Sequence, residues 1–198
     1  MGASSNFGNM FSVIGASAWL PFLPMAPIQV LTNNLLYDFS QTAIPTDNVD
    51  AEYLAKPRRW EIRHIAQFML FIGPISSIFD YATYFTMYYV FHAQTVAAAS
   101  LFQTGWFVES LLSQTLIIHI IRTQRIPFVE SRASAALIAT SLIICVVGLW
   151  LPYSPFAADL GFRPLPALYW PIVAAMLVVY LSMTHWIKVW LQRRIGLD

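Results

Sequence analysis

Charged side chains are scarce in this chain, and their scarcity excludes an ordinary soluble domain. Only 11% of the 198 residues are Asp, Glu, Lys or Arg, against about 25% in typical soluble proteins. The stretch from Ala133 to Ala158 contains none at all. A soluble bundle of such apolar helices would need far more polar surface than this sequence has. The net charge of +1 gives no reason to expect a nucleic-acid partner.

Cysteine is almost absent as well. The single cysteine, Cys145, lies in an apolar run and cannot form a disulfide within the chain. The sequence has no glycine-rich phosphate loop, no Cys/His cluster with metal-ligand spacing and no nucleophile constellation. We therefore predict no catalytic residue, no cofactor-binding residue and no independent phosphoryl chemistry in this chain.

Hydrophobic sequence is abundant, at 58% of all residues, and it is gathered into six segments. Runs of about 18 or more apolar residues predict membrane spans, and in lipid each must be helical because only a helix satisfies its own backbone polar groups there. The sequence therefore predicts one all-α domain over residues 1–198, a polytopic membrane bundle of about six transmembrane helices. The predicted spans are residues 7–23, 27–44, 62–91, 96–121, 133–151 and 168–191.

The basic residues predict the orientation of these spans. If the spans alternate in direction, ten of the 11 Lys and Arg residues fall on one side and only Arg163 on the other. The positive-inside rule places the ten in the cytoplasm, together with the connection at residues 46–59 and the C-terminus. The ten are Lys56, Arg58, Arg59, Arg63, Arg122, Arg125, Arg132, Lys188, Arg193 and Arg194.

Three acidic residues interrupt the apolar spans: Asp38, Asp80 and Glu109. Each costs at least about 2.5–3.5 kcal/mol at the bilayer centre, so each is a functional candidate, with a hydrogen-bonded structural carboxyl group as the alternative. Asp80 lies in the outer part of the long third span, where we favour a structural or outer-vestibule role. Glu109 lies near the middle of the fourth span, where completing an ion site and pairing structurally are equally open.

Asp38 is the strongest candidate ligand, because Asn34 lies one helical turn before it on the same face. An amide and a carboxylate offer oxygen ligands, which hard cations such as Mg²⁺ prefer. Asn6 and Asn9 share a face of the preceding span, and Gly8 permits close approach of another helix. If the proline-rich turn folds the two spans antiparallel, the four polar side chains form a cation site; a structural polar cluster is the alternative.

These segments resemble membrane helices five to ten of the P-type cation ATPases, over essentially the whole chain. The resemblance rests on Ser4–Asn9, Asn33–Asp50 and Lys56–Trp60, and it is strongest to the bacterial magnesium-importing pumps. Asn9 stands where calcium pumps carry an acidic residue, and Tyr37 stands where they carry threonine. Both departures speak against a two-calcium site.

The resemblance implies a domain that moves Mg²⁺ across a bacterial inner membrane, driven by ATP hydrolysis in cytoplasmic domains that this chain lacks. It implies Asn6, Asn9, Asn34 and Asp38 as metal ligands, with Glu109 at the helix-eight position. It implies as partners the lipid bilayer, Mg²⁺ or another divalent cation, and the missing cytoplasmic and N-terminal membrane domains of a longer pump. The chain has no Asp-Lys-Thr-Gly-Thr phosphorylation motif, so we expect it to hydrolyse no ATP alone.

Two alternatives remain open from the sequence. The same kind of domain serves pumps for calcium or other cations, and the ion dependence of the ATPase would separate these from a magnesium pump. A free-standing six-helix ion carrier or regulatory subunit is the other alternative. Carriers commonly contain inverted repeats, and this sequence shows none.

Overall fold

A computed structural model describes the backbone of residues 2–48, 50, 62–123, 125–127 and 129–195, and the side chains of 8–48, 50, 70, 73–123, 125–127 and 129–191. Within these ranges the chain has six α-helices and no β-strand, so the predicted all-α bundle is confirmed. The helices are α1 (Gly2–Ser17), α2 (Pro27–Gln41), α3 (Ile62–Phe85), α4 (Ala99–Ile121), α5 (Ala135–Trp150) and α6 (Tyr169–Ile195).

Prolines and capping residues set several helix boundaries. Helix α1 ends at Ser17, before the predicted span end at residue 23, because Pro21 has no N–H to continue the helix. Helix α2 begins at Pro27, whose fixed φ suits the first helical position. Helix α5 is capped by Ser134, whose Oγ accepts a hydrogen bond from the Leu137 N–H at 3.1 Å.

Helix α4 lies at the centre of the bundle. It packs against α2, α3, α5 and α6, and 89% of its most apolar stretch is buried, against 33% for α5 and 28% for α6. A helix that is apolar on all sides suits such an enclosed position. Among the described residues, three helical stretches are long and apolar enough to cross a membrane: Val96–Ile121, Ala135–Tyr153 and Tyr169–Leu191.

Helices α1 and α3 approach each other closely through small residues. A Cβ atom added at Gly8 would lie 3.0 Å from the carbonyl oxygen of Gly73, so the two backbones are almost in contact. Ser77 Oγ donates a hydrogen bond to the Gly8 carbonyl at 3.0 Å. The close approach expected at Gly8 is therefore present, and α3 is the helix that makes it.

A polar network around Arg122 joins the end of α4 to the segment that follows α2. The Arg122 guanidinium forms an ion pair with Asp47 and donates to the Asn48 carbonyl at 2.8 Å. The other carboxylate oxygen of Asp47 accepts from the Ser134 N–H at 2.7 Å, at the start of α5. We call this set, with Asp50, the Arg122 network.

Asp50 and Lys188 extend the contacts at this end of the bundle. Asp50 accepts hydrogen bonds from Thr123 Oγ1 at 2.6 Å and from Ser131 Oγ at 2.7 Å. Lys188 Nζ, on α6, donates to the carbonyls of Ile120 and Thr123 at 2.6 Å each. The negative C-terminal end of the α4 dipole also stabilises a positive charge at this position. Arg122, which follows α4, and Lys188 of α6 therefore lie at the same end of the bundle.

Six of the ten basic residues behind the predicted orientation lie outside the described side chains. They are Lys56, Arg58, Arg59, Arg63, Arg193 and Arg194.

Acid should weaken the Arg122 network. Partial burial acts to raise the pKa of Asp47 and Asp50, but hydrogen bonds from Arg122 to Asp47, and from Thr123 and Ser131 to Asp50, outweigh it and hold both pKa values below the ordinary one. Because the folded-state pKa is lowered, the stabilisation is present at neutral pH and is lost as the pH falls from about 4 through the folded-state pKa.

We therefore expect Arg122→Gln to lower the Tm of the purified protein at pH 7, and the difference from wild type to shrink as the pH approaches 3. Thermal unfolding in detergent across this range measures it. Arg163→Gln is the matched control, because the Arg163 side chain is exposed. A deficit in Arg122→Gln that is equal at all pH values would contradict the assignment.

Candidate functional site

The five predicted metal ligands lie on three helices, in unlike surroundings. Asn9 of α1 is half-buried, and its Oδ1 atom is enclosed without a hydrogen-bond partner among the described residues. On α2, Asn34 is half-buried and Asp38 is exposed. Glu109 of α4 is 2% exposed. The side chain of Asn6, also on α1, lies outside the described ones.

The outward position of Asp38 follows from the face that α2 buries. The buried side chains of α2 are Gln29, Asn33, Tyr37 and Ser40, spaced so that they form one helical stripe. Asn34 and Asp38 each follow a member of this stripe by one residue, so they lie at its edge or beyond. Helix α2 packs against α4 and α5, whereas the main neighbour of α1 is α3. Within the described residues, Asp38 is exposed while Glu109 is enclosed, and α1, which carries Asn6 and Asn9, has its main contact with α3 and not with α2.

Two residues of the buried α2 stripe, which sequence reasoning missed, fasten this helix. Gln29 Nε2 donates to the carbonyls of Leu160 and Gly161 at 3.0 and 3.1 Å, and Gly161 adopts a positive φ of 71° that favours glycine. Asn33 Nδ2 donates to the Phe107 carbonyl of α4 at 3.3 Å. The structure thus buries Asn33, and not its neighbour Asn34, against the central helix.

The enclosed Glu109 carboxyl group lies beside the Asp80 carboxyl group of α3. Asp80 Oδ2 accepts from Ser12 Oγ of α1 at 2.6 Å, and Asp80 Oδ1 accepts from Trp106 Nε1 of α4 at 2.8 Å. Asp80 is also only 2% exposed. The Asp80–Glu109 pair therefore joins three helices inside the bundle.

Aromatic side chains surround this pair. Tyr84 of α3 is fully buried, and its ring meets the Trp106 ring edge-on with centroids 5.0 Å apart. Tyr169 of α6 is buried as well and donates its hydroxyl to the Gly105 carbonyl at 2.6 Å. Among the described residues no Arg, Lys or His is in ion-pair contact with either carboxyl group, so none of these basic side chains supplies a counter-charge.

Sequence reasoning named both carboxyl residues but did not bring them together. The signal that could have done so is the stripe of small residues Gly8, Ser12 and Gly15 on α1, whose spacing of four and three residues marks a helix contact face. In the part of the chain that the structure describes, no group of three or more His, Cys, Asp or Glu side chains forms a candidate metal centre.

Comparison with known proteins identifies the family. Residues 22–190 match the family described as "Cation transporting ATPase, C-terminus". The chain is 55% identical over 196 residues to a protein named "Magnesium-transporting ATPase, P-type 1" from Salmonella typhimurium (strain LT2), and 54% identical over 196 residues to one of the same name from Escherichia coli K12. Each alignment covers 99% of this chain and 22% of the relative.

The chain thus spans about a fifth of the length of the curated relatives that it matches. The family match and the three apolar helices show a membrane protein. They also confirm the resemblance drawn from the Asn-rich and Asp38 segments. The chain belongs to the P-type cation-transporting ATPases, as the C-terminal membrane region of such a protein.

Proposed function

We propose that this chain is the C-terminal membrane part of a longer pump that moves Mg²⁺ across a bacterial inner membrane. Its relatives are named magnesium-transporting, and each aligns with 99% of the chain. ATP, its Mg²⁺ and the phosphorylation chemistry belong to cytoplasmic domains outside this sequence. This chain supplies oxygen ligands and a rigid bundle that holds them.

The observation that carries the proposal is the exposed carboxylate of Asp38 on an otherwise apolar surface. Leu31, Leu35 and Phe39 on the same outer side of α2 are 66%, 54% and 56% exposed. A carboxylate among apolar groups in a membrane is unfavourable unless it faces protein, water or an ion. Packing of another membrane helix of the pump against this surface would enclose Asn34 and Asp38, and a bound cation would neutralise the carboxylate.

The proposed ligand set is Asn6, Asn9, Asn34 and Asp38. One carboxylate and several amide oxygens would suit Mg²⁺ that keeps part of its water shell, because this ion dehydrates reluctantly and prefers six oxygen ligands. The Oδ1 atom of Asn9 is enclosed and has no hydrogen-bond partner among the described residues, which supports its inclusion. We leave Glu109 out of the set, because it is enclosed beside Asp80 while Asp38 is exposed on the outer surface.

Asp38→Asn should weaken ion binding selectively. In the full-length pump reconstituted in vesicles, with saturating MgATP on the nucleotide side, we expect the Mg²⁺ concentration for half-maximal transport to rise at least about tenfold, equivalent to about 1.4 kcal/mol. The physical reason is the loss of the only carboxylate in the proposed set. A fluorescent Mg²⁺ indicator on the other side of the membrane measures the transport.

Asp159→Asn is the matched control, since Asp159 is exposed and lies between α5 and α6; it should leave transport unchanged. Normal Mg²⁺ affinity in Asp38→Asn would remove Asp38 from the site. Transport of Ca²⁺ in preference to Mg²⁺ by the wild type would favour the calcium-pump alternative.

We also propose that the end of the bundle with the Arg122 network and the C-terminus faces the cytoplasm, following the positive-inside rule. Glu130 and Asp159 are both exposed, in the connections before and after α5. In a Cys145→Ala background, we expect a membrane-impermeant maleimide added to intact cells to label Asp159→Cys but not Glu130→Cys. Lysed cells should label both, and the reverse pattern in intact cells would overturn the orientation.

A further inference from the structure

We propose that the Asp80–Glu109 pair is a binding site for a single proton, and that this shared proton holds α1 against α3 and α4. The site lies apart from the proposed Mg²⁺ ligands, and its existence does not depend on the proposed function.

The hydrogen bonds to the two carboxyl groups are unequal. Asp80 accepts from Ser12 Oγ at 2.6 Å and from Trp106 Nε1 at 2.8 Å, one donor on each oxygen. Glu109 has the Ser113 hydroxyl as a donor one turn further along α4, but its Oε2 atom is buried and receives no hydrogen bond from the described residues. Donors favour the ionised form of a carboxyl group, and a buried oxygen without a donor disfavours it. Asp80 is therefore the better place for the negative charge, and Glu109 for the proton.

Two adjacent carboxylates cannot both stay ionised in these surroundings. Both side chains are 2% exposed, and no basic side chain among the described residues is in ion-pair contact with them. Like charges in contact repel strongly away from water. One proton between them removes one charge and supplies a hydrogen bond from Glu109 to Asp80, so the proton belongs to the pair as a unit.

The other titratable groups that face the pair do not supply a counter-charge. They are Tyr84 on α3 and Tyr169 and Tyr180 on α6, while α1 contributes the neutral hydroxyl of Ser12. Tyrosine is neutral at physiological pH. None of the described groups around the pair therefore replaces the proton by a positive charge.

The contacts of Asp80 also fit a proton better than Mg²⁺. A magnesium ion requires about six oxygen ligands in near-octahedral geometry. Trp106 Nε1 is a donor only and cannot bind a cation, yet it lies in hydrogen-bond contact with one carboxylate oxygen, and Ser12 Oγ donates to the other. A metal ion at Asp80 would have to displace both donors, which are themselves enclosed.

The proton site has a structural consequence for α1. Ser12 lies three residues after Asn9, about one turn away, and it is fully buried. Its hydrogen bond to Asp80 fixes the rotation of α1 about its axis, and with it the direction of Asn9. This last step rests on the proposed function, since it makes the pair a positioning element for a candidate Mg²⁺ ligand.

Infrared spectroscopy of the full-length protein in lipid tests the proposal. We expect the carbonyl-stretch band of a protonated carboxyl group at pH 7 in the wild type and in Asp159→Asn. The band should be absent in Glu109→Gln, whose amide can still donate to Asp80. Adding Mg²⁺ up to about tenfold above the transport half-saturation concentration should leave the band unchanged.

Thermal unfolding of two Glu109 variants provides a second test, which also shows whether either variant folds poorly. Glu109→Gln keeps a neutral donor of similar shape, so its Tm should stay near that of the wild type, whereas Glu109→Ala should lower the Tm clearly. Absence of the band in the wild type, or its persistence in Glu109→Gln, would overturn the proton site. Loss of the band on adding Mg²⁺ would show a cation site instead. Each of these results is independent of the Asp38→Asn transport assay.

Discussion

A carboxyl group enclosed by apolar helices needs hydrogen bonds, a proton or a counter-ion, because water is not there to solvate its charge. Much of this bundle is arranged around that requirement. Asp80 and Glu109 meet at the contact of α3 and α4, and Ser12 reaches them from α1. The same contacts that stabilise the carboxyl groups also decide which helices are neighbours.

The acidic residues of the chain show three different responses to this requirement. Asp80 and Glu109 satisfy it within the bundle by sharing hydrogen bonds and, in our proposal, a proton. Asp47 satisfies it at the end of the bundle through Arg122 and the N-terminus of α5. Asp38 is left exposed beside apolar side chains, which is the condition expected of a carboxylate whose partner comes from elsewhere.

The sequence predicts the helices better than their arrangement. Long apolar runs require helices in lipid, and Pro27 and Ser134 mark helix starts through local chemistry that any neighbour would leave unchanged. Gly8 predicts a close helix contact because glycine has no side chain to keep another helix away. Which helix makes that contact depends on side chains far apart in the chain, such as Ser12 and Asp80, and periodicity does not encode it.

For the candidate site, too, the sequence predicts the local chemistry but not the packing. The oxygen chemistry of the Asn34–Asp38 segment is evident from the spacing. The burial of Asn33 in place of Asn34 was not, because it depends on the rotation of α2, which Gln29 fixes through the distant Leu160 carbonyl. For Glu109, the sequence left an ion site and a structural pair equally open, and only the position of α3 beside α4 favours the pair.

A double-mutant cycle between α1 and α3 tests the central claim most directly. The Tm shifts of the full-length protein with Ser12→Ala, Asp80→Asn and both changes together are converted into changes in the free energy of unfolding. Their non-additivity is the energy that couples the two side chains. If the Ser12–Asp80 contact fastens α1, the two effects are non-additive by about 0.5–3 kcal/mol. Additivity within about 0.3 kcal/mol would show that the two residues act independently and would contradict the claim.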